Sequence, residues 1–143
     1  MRCEGRCLCG ACHFSALPDE EEAGVCHCSI CRKWSGGINM AVNCTDVKWN
    51  ADAPLRTYRS SDRAERVFCS ICGTNLFWHG LEDDPSEQSI GLMAFDEPEV
   101  FAVTRQIFID EKPATYALAN EMLTLTGAEV SAGRANAQSR GNA

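Results

Sequence analysis

The chain has 143 residues, enough for one compact domain and too few for two full-sized ones. Its net charge of −7 argues against a phosphate backbone as the main partner, since nucleic-acid binding needs clustered Lys and Arg. No apolar run approaches the ~20 residues of a membrane-spanning helix, which excludes that class too.

Met1-Arg2-Cys3-Glu4-Gly5-Arg6 leads into no apolar leader segment, so a reducing, cytoplasmic setting is expected. Leu, Ile, Val and Phe make up only about a fifth of the residues, a thin core for a domain of this size. The chain also carries ten cysteines, and metal or bridges can replace missing apolar burial.

In chain order, Cys7 to Leu17 reads as a strand or bent hairpin arm, followed by the acidic turn Pro18-Asp19-Glu20-Glu21-Glu22-Ala23-Gly24. Val25 to Cys28 enters a cysteine knuckle. Arg32 to Ser35 reads as a helical turn stopped by Gly36-Gly37. Ile38 to Cys44, Val47 to Trp49 and Leu55 to Arg59 are further strands by residue type. Arg66-Val67-Phe68 runs into a second knuckle, and Asn75 to His79 leaves it as the return arm of a hairpin. Ser89 to Met93 and Val100 to Ile109 supply two more apolar stretches. Ala117 to Leu125 has helical propensity without a clean amphipathic face. Beyond Thr126 the chain turns to Ala, Gly, Ser, Asn and Gln, so 1–126 is expected to be one domain and 127–143 a mobile tail. The fold class is mainly β.

The cysteines fall into CxC at Cys7 and Cys9, CxCxxC at Cys26, Cys28 and Cys31, and CxxC-Gly at Cys69 and Cys72. Thiols two residues apart cannot easily bridge each other, because disulfide geometry is narrow, but they can face one cation. A structural zinc takes four ligands, whereas a catalytic zinc often keeps three and an open position. Seven clustered cysteines therefore divide as Cys7, Cys9, Cys69 and Cys72 in a closed site, and Cys26, Cys28 and Cys31 in a three-thiolate site. Spacing alone also allows the second set to borrow a fourth ligand from Cys44, His27 or His13. Cys3, Cys12 and Cys44 lie outside the knuckles and read as small buried hydrophobes. His79, closing Leu76-Phe77-Trp78, reads as a strand-end histidine.

Three blocks carry a resemblance: Gly5-Arg6-Cys7-Leu8-Cys9-Gly10-Ala11, Cys26-His27-Cys28-Ser29-Ile30-Cys31-Arg32-Lys33, and Arg66-Val67-Phe68-Cys69-Ser70-Ile71-Cys72-Gly73-Thr74-Asn75-Leu76-Phe77. In this order they resemble the signature of the glutathione-dependent formaldehyde-activating (GFA) family, which includes the centromere protein V group. A weaker match follows at Ile90-Gly91-Leu92 and Ile107-Phe108-Ile109-Asp110-Glu111-Lys112-Pro113. The resemblance covers roughly residues 5 to 116. It implies a zinc-stapled assembly of small antiparallel sheets, a fold shared with a Rab-binding exchange factor. It further implies two zincs per chain: a structural one at Cys7, Cys9, Cys69 and Cys72, and a catalytic-type one at Cys26, Cys28 and Cys31. The implied activity joins glutathione and formaldehyde into S-hydroxymethylglutathione, the work of a carbon–sulfur lyase on a small-molecule thiol and aldehyde. Two positions depart from the family pattern. Arg105-Gln106 stands where a His is common, and Thr115-Tyr116 where a Trp is common.

Glutathione carries two carboxylates, so its site calls for cations. Arg32 and Lys33, directly after the knuckle, are the nearest candidates, and Arg66 is the next. The rival expectation is a non-enzymatic zinc-stabilised module that binds a protein partner, since the thin core alone would explain the metal.

Overall fold

The computed structural model describes residues 1–141. The chain is mainly β, with strands β1 Cys3–Arg6, β2 His13–Pro18, β3 Glu22–Cys26, β4 Asn39–Trp49, β5 Leu55–Arg59, β6 Ala64–Cys69, β7 Asn75–Gly80, β8 Gln88–Gly91, β9 Ala102–Ile107 and β10 Leu123–Leu125. Two α-helices accompany them, α1 Ser29–Ser35 and α2 Gly127–Gly141. Two compact units result: Met1–Ala23 with Met40–Ala102, and Gly24–Asn39 with the chain from Val103 onward.

In the first unit every strand pairing is antiparallel. β1 lies on β2, with Cys3 opposite Ala16 and Arg6 opposite His13. β2 pairs with β4 through a register shift between Ser15 and Leu17. From β4 the pairing continues through β8, β7 and β6 to β5. β4 runs unbroken where the residues suggest two strands. Asp46, at φ 46°, bends it, and Arg2 holds the bend through the Asp46 carboxylate at 2.7 Å and its carbonyl at 2.5 Å. Burial alternates along β2 and β8 as a half-buried sheet requires, whereas β6 and β7 bury the neighbouring pairs Arg66-Val67 and Leu76-Phe77; Val42, Val67, Leu76 and Ile90 are buried. A chain of aromatic contacts runs through this unit. Phe101 meets Phe95 at 4.8 Å, Phe95 meets Phe14 edge-on at 5.2 Å, Phe14 meets Trp49 at 4.9 Å, and Trp49 stacks on Phe77 at 5.4 Å. Gly5 is required where this cluster touches β1. A Cβ there would sit 2.3 Å from the Ala94 carbonyl oxygen and 2.4 Å from the Phe14 ring.

In the second unit β9 lies between β3 and β10, and β10 is parallel to β9 with Leu123 opposite Arg105. α1 starts earlier than its apolar content suggests, because the Cys28 sulfur caps it by accepting from the Cys31 N–H at 3.3 Å. Gly36, left-handed at φ 72°, ends it. The Ala117–Leu125 helix does not form. Without an apolar face to bury, its last three residues become β10. The helix forms instead at Gly127–Gly141, inside the expected tail, whose last two residues lie outside the described residues. Its start is a capping box. The Glu129 N–H donates to Thr126 Oγ1 at 3.2 Å, and the Thr126 N–H donates to the Glu129 carboxylate at 3.0 Å.

Candidate metal centres

The first centre belongs to the first unit. β1 delivers Cys7 and β6 delivers Cys69, each at a strand end, and tight turns place Cys9 and Cys72 beside them. The four sulfurs all lie within 4.8 Å of one another, with Cys7 to Cys9 at 3.5 Å and Cys9 to Cys69 at 3.8 Å. Sulfurs ~2.3 Å from a tetrahedral zinc are roughly 3.8 Å apart, so this donor set fits such an ion. Gly73, at φ 79°, makes the second turn possible, and its N–H donates to the Cys69 carbonyl at 2.9 Å. The turns aim amides at sulfur. Ile71 and Cys72 donate to the Cys69 sulfur at 3.4 and 3.5 Å, and Cys12 donates to the Cys7 sulfur at 3.3 Å. Thr74 latches the two knuckles together, accepting the Leu8 N–H at 3.0 Å while its hydroxyl meets the Cys72 sulfur at 3.1 Å. That hydroxyl, with backbone donors, draws the Cys72 thiol down to about 5.

The second centre belongs to the second unit and is local in sequence. Cys26 ends β3, Cys28 caps α1 and Cys31 lies in its first turn, with all three sulfurs within 4.8 Å of one another. Crowding splits their ionisation. Cys26 and Cys31 donate to the Cys28 sulfur and draw it down to about 2, while Cys26 is pushed up by its hydrogen bonds to the other two and by burial. One negative charge is readily held by the three sulfurs, and a cation would stabilise the others.

His27 lies between two of these sulfurs in sequence and is fully buried. All four of its polar groups are engaged. Nε2 lies 2.8 Å from Gln106 Oε1, Nδ1 lies 2.8 Å from the Tyr116 hydroxyl, its N–H donates to the Ile107 carbonyl at 3.1 Å, and its carbonyl accepts from Arg32 Nε at 2.9 Å. Glu111 accepts the Ser29 N–H at 3.1 Å, at the start of α1. Lys112 lies over the Tyr116 ring at 4.8 Å and donates to the Tyr116 carbonyl. Gln106 and Tyr116 occupy the two positions where the chain departs from the pattern it resembles, and both departures meet the same imidazole. Glu111 carried no such signal, because it stands 82 residues from Ser29.

Lys33 is exposed and Arg32 half-buried on α1, while Arg66 belongs to β6 of the other unit and is 5% exposed. Cys12 and Cys44 are buried thiols pushed up to about 12, chiefly by desolvation, and neither joins a cluster. His13 is exposed on β2, and His79 ends β7 against Glu65 at 3.0 Å.

The profile of the glutathione-dependent formaldehyde-activating enzyme family matches residues 2–111. The chain belongs to the GFA family. Among its relatives, an uncharacterised lyase of Schizosaccharomyces pombe is 35% identical over 128 residues, covering 89% of this chain and 93% of the relative. A Halomonas elongata protein whose name carries the words glutathione-dependent formaldehyde-activating enzyme is 33% identical over 90 residues, 54% of this chain and 55% of that one. A crystal structure of a Rhodobacter sphaeroides protein shares the fold at a TM-score of 0.55 and 23% identity, covering 65% of this chain and 87% of the other. Both cysteine clusters of this GFA chain could hold a metal ion. Among the described residues no helix is long and apolar enough to cross a membrane.

Proposed function

We propose that the chain is a zinc-dependent carbon–sulfur lyase acting on aldehyde adducts of glutathione or a related thiol, in the manner of an S-hydroxymethylglutathione synthase. One observation carries this reading: Cys26, Cys28 and Cys31 converge as a set of three sulfurs, and the neighbouring imidazole is engaged at both nitrogens. A zinc ion held by Cys26, Cys28 and Cys31 would supply deprotonation of a bound thiol. In the synthetic direction the thiol gives up its proton and the sulfur pair forms a bond to the aldehyde carbon. The carbonyl π pair moves to oxygen, which takes a proton. Cleavage runs the same changes backwards.

Lys33, exposed on α1 just beyond the knuckle, and Arg32, with Nε already on the His27 carbonyl, are the proposed partners of the glutathione carboxylates. Arg66, buried in β6, would serve only a carboxylate that reaches the interior. The test is zinc stoichiometry by native mass spectrometry with and without glutathione. Two zincs, with glutathione adding only while Cys26, Cys28 and Cys31 are intact, is the expected result. Zinc-reloaded protein that ignores glutathione would defeat this reading in favour of a protein-binding module.

A further inference from the structure

We propose that His27 is the positioning residue of the three-cysteine centre: Gln106 and Tyr116 keep both of its ring nitrogens engaged, and the pinned ring in turn holds Cys26 and Cys28 so that their sulfurs converge. This rests only on the metal-holding part of the function proposed above.

The argument starts from an accounting of polar groups. A buried imidazole between two metal-binding thiolates would ordinarily be a candidate fourth ligand, because its neutral nitrogen is a good zinc donor. Here neither nitrogen is available. The amide oxygen of Gln106 can only accept, so Nε2 carries the hydrogen. The Tyr116 hydroxyl lies at the same 2.8 Å from Nδ1, so that nitrogen is engaged as well. Freeing either nitrogen to meet a metal would break one of these bonds inside a site closed to water, since His27 has no exposed surface.

The same bonds fix the knuckle. Cys26 ends β3 and Cys28 caps α1, so His27 is the single residue that joins strand to helix and sets how the two sulfurs turn toward each other. With its N–H on Ile107, its carbonyl on Arg32 and its ring pinned on both sides, the central residue leaves the backbone of Cys26 and Cys28 little freedom to turn. The two ring partners come from one return segment, Gln106 in β9 and Tyr116 nine residues after its end at Ile107, and Lys112 clasps that segment through the Tyr116 carbonyl and ring. The ring partners of His27 thus act as an outer shell for a thiolate centre, although the residue they hold is not itself a ligand.

The test uses the full chain loaded with zinc, or with Co²⁺ as a spectroscopic probe, in wild type, Gln106→Met, Tyr116→Phe and Tyr116→Trp. Metal release to a chromophoric chelator should show two phases, assigned by the loss of one in Cys26→Ser. Gln106→Met and Tyr116→Phe should speed release from the three-cysteine centre roughly tenfold, the low end of outer-shell effects, and leave the four-cysteine phase unchanged. Tyr116→Trp, whose indole N–H can still donate to Nδ1, should restore most of the wild-type rate. Ring ¹⁵N spectra of His27 should show no change on zinc loading in wild type. In Gln106→Met/Tyr116→Phe, zinc loading should shift a ring nitrogen, and Co²⁺ absorption should move as a nitrogen donor enters. A wild-type His27 nitrogen that shifts on zinc loading makes it a ligand and overturns the proposal. So does equal acceleration of both phases, or none. Should glutathione leave the wild-type Co²⁺ spectrum untouched while these results hold, the thiol reading fails and the positioning role stands.

Discussion

The two cysteine clusters, once loaded with metal, should contribute very differently to stability, because they close loops of very different length. Cys9 and Cys69 are 60 residues apart, so a metal shared by them closes a long loop. Cys26 and Cys31 span only one short turn. Treating each metal as a cross-link on the unfolded chain, the long loop corresponds to about 4 kcal/mol and the local loop of about six residues to about 2 kcal/mol. At this chain length 1 kcal/mol moves Tm by about 3 °C, so removing the metals should lower it by about 12 °C and about 6 °C respectively. Two variants separate the terms. Cys28→Ser keeps a good helix cap, since serine caps as the Cys28 sulfur does, and leaves only the four-cysteine centre to be stripped. Cys9→Ser changes an exposed side chain and leaves chiefly the three-cysteine centre. Thermal melts of each, with and without chelator, give the two differences directly. A chelator effect in Cys9→Ser equal to or larger than that in Cys28→Ser would refute the loop-length argument and make the second centre the structural one.

Leu76→Ala should cost about 2–5 kcal/mol in urea unfolding, because the side chain is only 1% exposed and its truncation leaves a cavity. Gly73→Ala should cost about 1–2 kcal/mol through its φ of 79° alone, as a Cβ there meets nothing within 4 Å. The same melts should show that loss. Thr74→Val removes the hydroxyl that holds the Cys72 thiol down to about 5. A depressed thiol stabilises the fold above its unfolded value near 9 and loses that contribution as pH falls through about 5. In metal-free protein, alkylation of Cys72 should therefore be half-maximal at higher pH in Thr74→Val than in wild type, and the acid side of the stability profile should flatten. An unchanged alkylation profile would remove Thr74 from that role.

Most of the strand pattern was legible because it depends on local residue type. The β6–knuckle–β7 hairpin, the stop of α1 at Gly36 and the CxC and CxxC turns all follow from nearby residues. The four-plus-three grouping was legible as well, since cysteine spacing constrains which sulfurs can share a centre. What escaped was of two kinds. The helix at Gly127–Gly141 is polar and lacks an apolar stripe, so periodicity is silent, although Thr126 and Glu129 spell a capping box that would have marked its start. Glu111 on α1, and the meeting of Gln106 and Tyr116 on His27, are contacts of long sequence separation. Residue type can flag such positions as unusual but cannot say that two of them face one ring.

The two centres share a ligand type and a turn chemistry, so the difference in their proposed roles must come from topology. At Cys7 and Cys9 the chain returns after a long excursion with a second pair of sulfurs, and the Thr74 hydroxyl joins the two turns. Four donors are then present without help from any other residue. At Cys26, Cys28 and Cys31 the chain also returns, through β9 and the segment to Tyr116, but what it brings is an amide, a phenol and a carboxylate rather than a thiol. These groups meet His27 and the α1 start instead of the cluster. Replacing Gln106 or Tyr116 by a residue with a thiol would therefore not simply add a fourth ligand, since the side chain there contacts the imidazole and its loss would release that ring. On this geometry the number of ligands at the second centre is governed by what holds His27, and the coordination of a reloaded metal in Gln106→Met/Tyr116→Phe is the direct measure of it.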